Sequence, residues 1–363
     1  MRTKYRIFIV CMLMSMKALE LFAGIGGITH GLRGYVEPIA FCEYEKDASS
    51  FLSQRGLPVH GDITKFDASV YKNKIDIVTA GWPCTGFSTA GKGTGFEHEA
   101  SGLWTEVVRV VKESEPKYVF LENSHVLAQT KNLKVIIHDL DNLGYDTRWW
   151  TCRSNDVNVG AHHNRYRWFM LAEKKGSVTK FVKIQVKKFN WSGDFKEKQI
   201  SENSHENKQL IKFMGNSVVP DQVRYAFESM SDMILEGSLV NEKDEIVKVG
   251  YSKDSIMYKI PIEHKIIPKL NIVLTPRDPP EGHKAREEAI IKSPILMTYW
   301  NTPAFCYHKS ARGAKILTKR QKNNLHTQIK FCPGGSDDGY LSGRFCAWLM
   351  GYDDEYLGDL MHY

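Results

Sequence analysis

Two hydrophobic periods alternate along residues 17–172. Short apolar runs recur at 18–22, 39–42, 75–80, 118–121 and 168–172. Between them apolar residues return at helical spacing. Leu103, Trp104, Val107, Val108 and Val111 form one such stripe; Leu133, Ile136, Ile137, Leu140 and Leu143 form another, closed by Gly144 at a C-cap position. Strand–helix alternation of this kind predicts an α/β fold with a doubly wound, mostly parallel sheet carrying helices on both faces. Ligands of such sheets bind beyond the carboxyl ends of the strands, so the residues just after each apolar run are the ones that carry candidate chemistry.

Beyond residue 172 the pattern changes. Residues 173–212 are Lys-rich and weakly periodic, the signature of a surface excursion or linker. Residues 221–235 read as a helix with Val223, Ala226, Phe227, Met230 and Ile234 on one side. Residues 236–335 carry isolated prolines and short strand-like pieces, which predicts a second, smaller, irregular domain, followed by a C-terminal segment, 336–363. At the other end, Arg2, Lys4 and Arg6 precede a short apolar run over 7–14. That run is too short to span a membrane and no small-residue cleavage site follows it. The expectation is that 1–15 is an upstream extension, that Met16 is the natural start, and that 16–235 form the catalytic domain.

The length of 363 residues suits about two domains, and 42% apolar with 25% charged residues is globular composition, which excludes collagen-like, disordered and disulfide-scaffold classes. The net charge of +7 is unevenly spread. Residues 173–212 hold ten Lys against five acids, 312–330 hold six basic residues and no acid, and 331–363 hold one Arg against six acids. Basic stretches on a neutral body point to a polyanion such as nucleic acid, although a solvated face has the same composition. Seven scattered cysteines without a CxxC pair argue against a disulfide framework or structural metal and for a reduced, intracellular protein.

The first strand runs into Phe22-Ala23-Gly24-Ile25-Gly26-Gly27, where glycines allow close backbone approach to a ligand at a helix N-terminus, or simply a tight turn. A dinucleotide fingerprint calls for glycine at position 29, which is Thr29. The second strand ends at Glu43, suited to ribose hydroxyls, and Asp62 stands at the third strand end. Together these describe a nucleoside-containing cofactor, either a dinucleotide or S-adenosylmethionine. The fourth strand leads to Trp82-Pro83-Cys84-Thr85-Gly86. A lone cysteine is usually an inert small hydrophobe, but this one follows a proline in a Gly/Ser loop at a strand's carboxyl end, where a thiolate nucleophile has access. The fifth strand ends at Glu122-Asn123, a second carboxylate for the same cleft or a plain helix N-terminal charge. His162 and His163 are adjacent on an extended segment and point opposite ways, which argues against a shared ion. Arg165 and Arg167, two apart, share one face that could hold an anion or a carbonyl oxygen.

This constellation resembles the C5-cytosine DNA methyltransferases, closest to those of chlorella-virus restriction–modification systems. The resemblance covers nearly the whole chain from Met16. It rests on Phe22-Ala23-Gly24-Ile25-Gly26-Gly27, Pro83-Cys84, Glu122-Asn123, Arg165-x-Arg167 and Gly215-Asn216-Ser217-Val218-Val219-Pro220 in succession. It implies the S-adenosylmethionine-dependent methyltransferase fold, with a target-recognition domain added. Phe22, Gly24, Gly26 and Gly27 would then cradle S-adenosylmethionine, Glu43 its ribose, and Asp62 its adenine amino group. Tyr44 would lie against the adenine ring, and Asn216 and Ser217 over the methionine end. Cys84 would be the nucleophile at cytosine C6, Glu122 the contact to N3, and Arg165 and Arg167 the partners of phosphate and O2. The implied partners are double-stranded DNA and a cognate restriction endonuclease, with the chain a monomer, no metal and no membrane.

The chain departs from the family in several places. His162-His163 replaces the usual Pro-Gln before the arginines, and Glu-Asn-Ser replaces Glu-Asn-Val. The 215–220 block, normally near the C-terminus, precedes the recognition segment, while Arg344-x-x-x-x-x-Met350-Gly351-Tyr352 ends the chain. That order works if 215–235 packs beside the first strand. Within 236–335, Arg277, Arg312, Lys319, Arg320, Lys322, Asn323, Asn324 and Gln328 are candidate DNA contacts, most of them to phosphate and sugar. Alternatives are a tRNA cytosine-5 methyltransferase, a methyltransferase-like DNA-binding protein without catalysis, and a nicotinamide dehydrogenase, the last disfavoured by Thr29.

Overall fold

A computed structural model describes residues 15–83, 102–177, 181–191, 200–201, 204–240, 244–262 and 340–358. Cys84, the proposed extension up to residue 14 and most of the proposed recognition segment lie outside these residues. The first half of the chain gives β1 (Met16–Leu21), α1 (Gly27–Gly31), β2 (Val36–Cys42), α2 (Lys46–Ser53), β3 (Val59–His60), β4 (Ile77–Ala80), α3 (Gly102–Ser114), β5 (Tyr118–Ser124) and α4 (Thr130–Asn142). Then follow β6 (Tyr145–Arg153), β7 (Tyr166–Lys174), β8 (Ile200–Ser201), α5 (His205–Asn216), α6 (Pro220–Ser231), β9 (Ser238–Leu239), β10 (Val249–Lys253) and β11 (Ile256–Lys259). The described chain closes with β12 (Tyr340–Leu341), α7 (Gly343–Met350) and α8 (Asp354–Leu357).

Ten strands form one sheet in the order β3-β2-β1-β4-β5-β7-β6-β10-β11-β9. From β3 to β5 the four pairings are parallel. From β5 onward the five pairings are antiparallel. The sheet is therefore mixed, which corrects the expected mostly parallel one. The difference lies in β7, which runs antiparallel to both β5 and β6, and in the antiparallel strands β9–β11 beyond β6. The β6 sequence Tyr-Asp-Thr-Arg-Trp-Trp-Thr-Cys-Arg alternates polar and bulky residues instead of forming an apolar run, and its Trp149 and Trp150 bury on opposite faces. Strand β10 pairs along β6 and extends the same sheet beyond residue 235.

Apolar runs appear where both faces of a strand are covered. Ala18, Ile77, Phe120 and Phe169 turn to one face and pack with Ile28 and Leu32 around α1 and with Val223 and Phe227 of α6. Their neighbours Leu19, Val78, Leu121 and Met170 turn to the other and meet Val107 and Val110 of α3 and Leu133 and Ile136 of α4. Each such side chain, once fully buried, contributes about 1.5–3 kcal/mol of transfer free energy. A third cluster joins Phe51 and Leu52 of α2, Phe213 and Met214 of α5, and Phe345 and Leu349 of α7. The end of the Lys-rich stretch is thus a core helix, not a linker: α5 buries Leu210, Ile211, Phe213 and Met214 on one side. The helix expected over 221–235 stops at Ser231, which leaves Ile234 exposed.

The 215–220 block joins α5 to α6, and α6 crosses α1 so closely that a Cβ on Gly31 would lie 2.7 Å from the Pro220 carbonyl oxygen. The block therefore sits beside the helix that follows the first strand, as its early position in the chain requires. The late motif returns to the same place, with α7 buried against α5 and the Tyr352 hydroxyl donating to the Val218 carbonyl at 3.0 Å.

Candidate active site

The chain reverses direction of winding between β1 and β4, with β2 and β3 to one side and β4 and β5 to the other. A crevice forms at such a point beyond the carboxyl strand ends. Here it is a cavity of about 750 Å³, within the usual range for small-molecule sites. Phe22, Gly24, Glu43, Tyr44, Asp62, Glu122, Arg165, Arg167 and Asn216 all line it, with Pro83 next to them. Nine of the expected site residues, drawn from six separate stretches of sequence, thus converge on one space.

The loop after β1 is held in an uncommon backbone shape. Phe22, Gly24 and Gly26 all have positive φ, at 52°, 56° and 79°. For Phe22 that conformation carries strain, and it turns the chain away from the sheet into the cavity wall. A Cβ on Gly24 would meet no protein atom within 4 Å, so its absence opens backbone to the cavity. Glu20, the charged residue inside the apolar β1 run, anchors the turn from below. Its carboxylate accepts from Ile28 N and Thr29 N at 3.0 Å each and from Thr29 Oγ1 at 2.6 Å. Burial lifts the Glu20 carboxyl to about 7, against the pull of those Thr29 and Ile28 donors. Thr29, where a dinucleotide site would have glycine, is thus a partner of a buried carboxylate.

Glu43 directly follows β2 with both oxygens directed by backbone: Gly24 N donates to one at 2.7 Å and Glu45 N to the other at 2.7 Å. Each oxygen retains a lone pair for a hydroxyl. Burial raises the Glu43 carboxyl above its ordinary value, opposed by the Glu45 and Gly24 N–H groups. Tyr44 is 79% exposed, an aromatic face left uncovered at the rim. Asp62 caps a 3₁₀ turn, accepting from Thr64 N at 3.0 Å and Thr64 Oγ1 at 2.8 Å. The Thr64 hydroxyl and N–H hold its carboxyl below the usual range. The residues suit a nucleoside-bearing ligand: two carboxylates for hydroxyl or amino groups, an open ring, and bare backbone at Gly24.

On the other side of the cavity Glu122 and Arg167 form an ion pair, Nε to Oε1 at 2.9 Å, across β5 and β7. Arg165 is buried and donates from Nη2 to the Ser217 carbonyl at 2.6 Å. Its backbone is clamped as well, since Arg165 N donates to Ser154 Oγ and Gln222 Nε2 donates to the Arg165 carbonyl. Asn123 donates from Nδ2 to the Trp82 carbonyl at 3.0 Å, which ties the β5 end to the loop leading to Cys84. The two arginines face one cavity, as their spacing predicts. The adjacent histidines diverge: His163 is fully buried, and burial pushes its imidazole down to about 3, whereas His162 sits edge-on to Trp348 with centroids 5.6 Å apart.

Three expected cofactor residues do not line the cavity. Gly26 and Gly27 pack against the C-terminal tyrosines instead. A Cβ on Gly26 would lie 3.1 Å from Tyr356 Oη, and one on Gly27 would collide with Tyr352 Oη and Val218. Ser217 turns its hydroxyl onto the Met214 carbonyl at 3.2 Å, leaving only its own carbonyl for Arg165. Other functional neighbours escaped sequence reading. Glu20 was signalled by its charge within an apolar run. Gln222 and Ser154, which fix Arg165, carry no local signal. Lys212 of α5 lines the cavity and pairs with Glu45 and Asp47, the latter at 3.2 Å. Among the described residues, the acidic group Asp141, Asp146 and Asp254 is bridged by Lys175, at 2.7 Å to Asp141 and 3.1 Å to Asp254.

Comparison with known proteins agrees with this geometry. The model of the family described as C-5 cytosine-specific DNA methylase matches residues 16–357. Type II methyltransferase M.CviJI of Paramecium bursaria Chlorella virus IL3A is 42% identical over 96% of this chain and 100% of its own length. Type II methyltransferase M1.ScrFI of Lactococcus lactis subsp. cremoris is 32% identical over 47% of this chain and 44% of its own. Type II methyltransferase M.HhaI of Haemophilus parahaemolyticus is 31% identical over 44% and 49% respectively.

Proposed function

Because the chain belongs to the C-5 cytosine-specific DNA methylases, we propose that its cavity joins a methyl-donor half to a cytosine half. Methyl transfer to cytosine in double-stranded DNA is the activity of this family, and its donor is S-adenosylmethionine. The likeness to M.CviJI over 96% of this chain and the full length of that protein supports a modification role in a viral restriction–modification system, beside an endonuclease acting on the same site. The matching family model is one of DNA methylases, which disfavours the tRNA alternative.

In the donor half, Glu43 holds ribose hydroxyls, Asp62 the adenine amino group and Tyr44 the adenine ring, while Phe22, Gly24 and Asn216 shape the remaining wall. Gly26, Gly27 and Ser217 support that wall from behind. A bound S-adenosylmethionine supplies an electrophilic methyl group on its sulfonium. In the acceptor half the target base has left the duplex, at a cost of about a few kcal/mol. Cys84 adds its thiolate to C6 while a proton at N3 is held by Glu122, so the ring electrons collect at C5 as an enamine. Arg167 orients Glu122, and Arg165 and Arg167 present N–H groups to O2 and phosphate. With the donor bound, C5 would use the enamine electron pair to take the methyl group, the donor leaving as a thioether. Loss of the C5 proton then returns the C–H electron pair to the ring and expels Cys84 as thiolate.

One observation carries this reading: the Glu122–Arg167 pair shares a cavity with Glu43 and Asp62, with Pro83 on its rim one residue before Cys84. The recognition segment is assigned to the chain between β11 and β12, narrower than 236–335, since β9–β11 belong to the sheet. The chain acts as a monomer in this reading. Expression in cells lacking cytosine methylation, followed by bisulfite sequencing, tests it. The expected result is protected cytosines within one short motif; uniformly converted DNA from cells containing folded protein would overturn it.

A further inference from the structure

The C-terminal motif visible in the sequence ends at Tyr352, but the structure draws attention to Tyr356, one turn beyond. Its hydroxyl lies 2.5 Å from the Ile25 carbonyl and 3.1 Å from the Gly26 carbonyl, in the loop after β1. The Gly26 carbonyl already accepts from His30 N at 3.0 Å. The Ile25 carbonyl stands before the N-cap Gly26 and is not an acceptor of the α1 ladder, and Ile28 N and Thr29 N are among the N–H groups that a helix start leaves without an intrahelical partner. Both of those N–H groups are directed at Glu20, each at 3.0 Å. The buried Glu20 thus caps two free donors of the first turn, and Tyr356 supplies a donor to the Ile25 carbonyl from 331 residues away.

Tyr356 is itself firmly seated. Its ring lies 3.8 Å from the His30 ring, the Arg55 guanidinium stands 4.2 Å from its centroid, and Phe51 meets it edge-on at 6.3 Å. Burial raises its phenol above the ordinary value, so the hydroxyl keeps its proton and donates. Its target is part of the cavity wall: Ile25 lines the space between Gly24 and Gly26, two positions with positive φ.

We propose that Tyr356 is a positioning residue for the methyl donor, its hydroxyl pinning the Ile25 carbonyl so that the 22–26 turn stays in the shape that receives the cofactor. This rests on the reading of the cavity as an S-adenosylmethionine site. Tyr356 touches no cofactor itself; it acts through the backbone of Ile25. The C-terminal segment, reached only after the recognition segment, therefore completes a site whose other residues come from earlier in the chain.

A matched pair of variants in the full-length protein tests this. Tyr145 makes a comparable buried bond, its hydroxyl donating to the Pro116 carbonyl at 2.5 Å at the amino end of the sheet, remote from the cavity. Tyr356→Phe and Tyr145→Phe each remove one such hydroxyl and keep the ring. Calorimetric titration with S-adenosylmethionine, alongside thermal unfolding without ligand, is expected to show similar small losses of stability in both. Affinity should fall about five- to tenfold in Tyr356→Phe alone. Unchanged affinity in Tyr356→Phe, or an equal loss in Tyr145→Phe, would overturn the proposal. Failure of the unsubstituted, folded protein to bind would instead overturn the cofactor reading and this inference with it.

Discussion

Two arginine–glutamate pairs cross the antiparallel half of the sheet, and they differ in what lies beside them. At the amino end of β5, Arg148 of β6 reaches Glu173 of β7 at 2.8 Å, and its second nitrogen donates to the Met230 carbonyl at 3.1 Å. At the carboxyl end, Arg167 of β7 reaches Glu122 of β5 at 2.9 Å. The glutamate side chains are nearly equally hidden, 8% and 11% exposed. Chemistry and burial are therefore the same. The first pair is closed over by α6, whereas the second forms part of a cavity wall in which Gly81 leaves room beside it. Each arginine also donates to a backbone carbonyl, Arg148 to Met230 and Arg167 to Tyr166 at 3.0 Å, so what sets the second pair apart is the open space beside its carboxylate.

The comparison breaks if the two carboxylates respond alike. Glu122→Gln should lower methyl transfer about 10²–10⁴-fold, the range for loss of a positioned proton donor, while the denaturant midpoint barely moves. Gly81→Ala sharpens the point, because the added Cβ would lie 3.1 Å from Glu122 Oε2 and push the carboxylate aside. A misplacement of that order should cost about 10–100-fold in turnover, with Glu122 intact. Glu173→Gln should do the reverse, losing roughly 2 kcal/mol in urea unfolding by stranding Arg148, with methyl transfer within twofold of the unsubstituted enzyme.

Titration provides a smaller effect, spread over both faces of the first turn. His30 and His163 are buried neutral, with burial the main cause and nearby arginines adding to it, and both titrate at about 3 in the folded protein. The unfolded chain takes up those protons near pH 6.5, so these groups reduce stability as pH falls from about 6.5 towards 3. Glu20 acts with the opposite sign: its folded value of about 7 lies above the ordinary 4.5, so its contribution is present at low pH and lost as pH rises from 4.5 to 7. Glu20→Gln should therefore steepen the acid-side loss of stability between pH 7 and 4.5, as read from urea midpoints. An unchanged slope would mean that Glu20 is ionised throughout.

Much of this was legible beforehand because two-sided burial writes itself as apolar runs. Strands β1, β2, β4, β5 and β7 show themselves that way, and the positions after the runs of β2 and β5 lead to Glu43 and Glu122. Asp62 follows β3, which carries no apolar run, and Arg165 and Arg167 precede the run of β7. Strand β6 escaped because its Thr147, Thr151 and Arg148 interrupt any apolar run, although Thr147 and Thr151 are buried. The role of α5 escaped because the lysines that precede it dominate the composition of 173–212, although one side of the helix is core. Within the site, Gly26, Gly27 and Ser217 were recognised as special without the reason. Positive φ explains Gly26 and contact with Tyr352 explains Gly27, and both depend on a tail more than 300 residues away. Tertiary partners at that separation leave no local trace in sequence.

The most direct test of the account is covalent trapping. Duplex DNA synthesised with 5-fluorocytosine at every cytosine position carries a C5 substituent that cannot leave as a proton. Incubated with the protein and S-adenosylmethionine, it should yield a denaturation-resistant protein–DNA complex, mapped by peptide mass to Cys84 and missing in Cys84→Ala. If the folded, donor-binding protein gave no such complex, or gave one through another residue, the account would be contradicted.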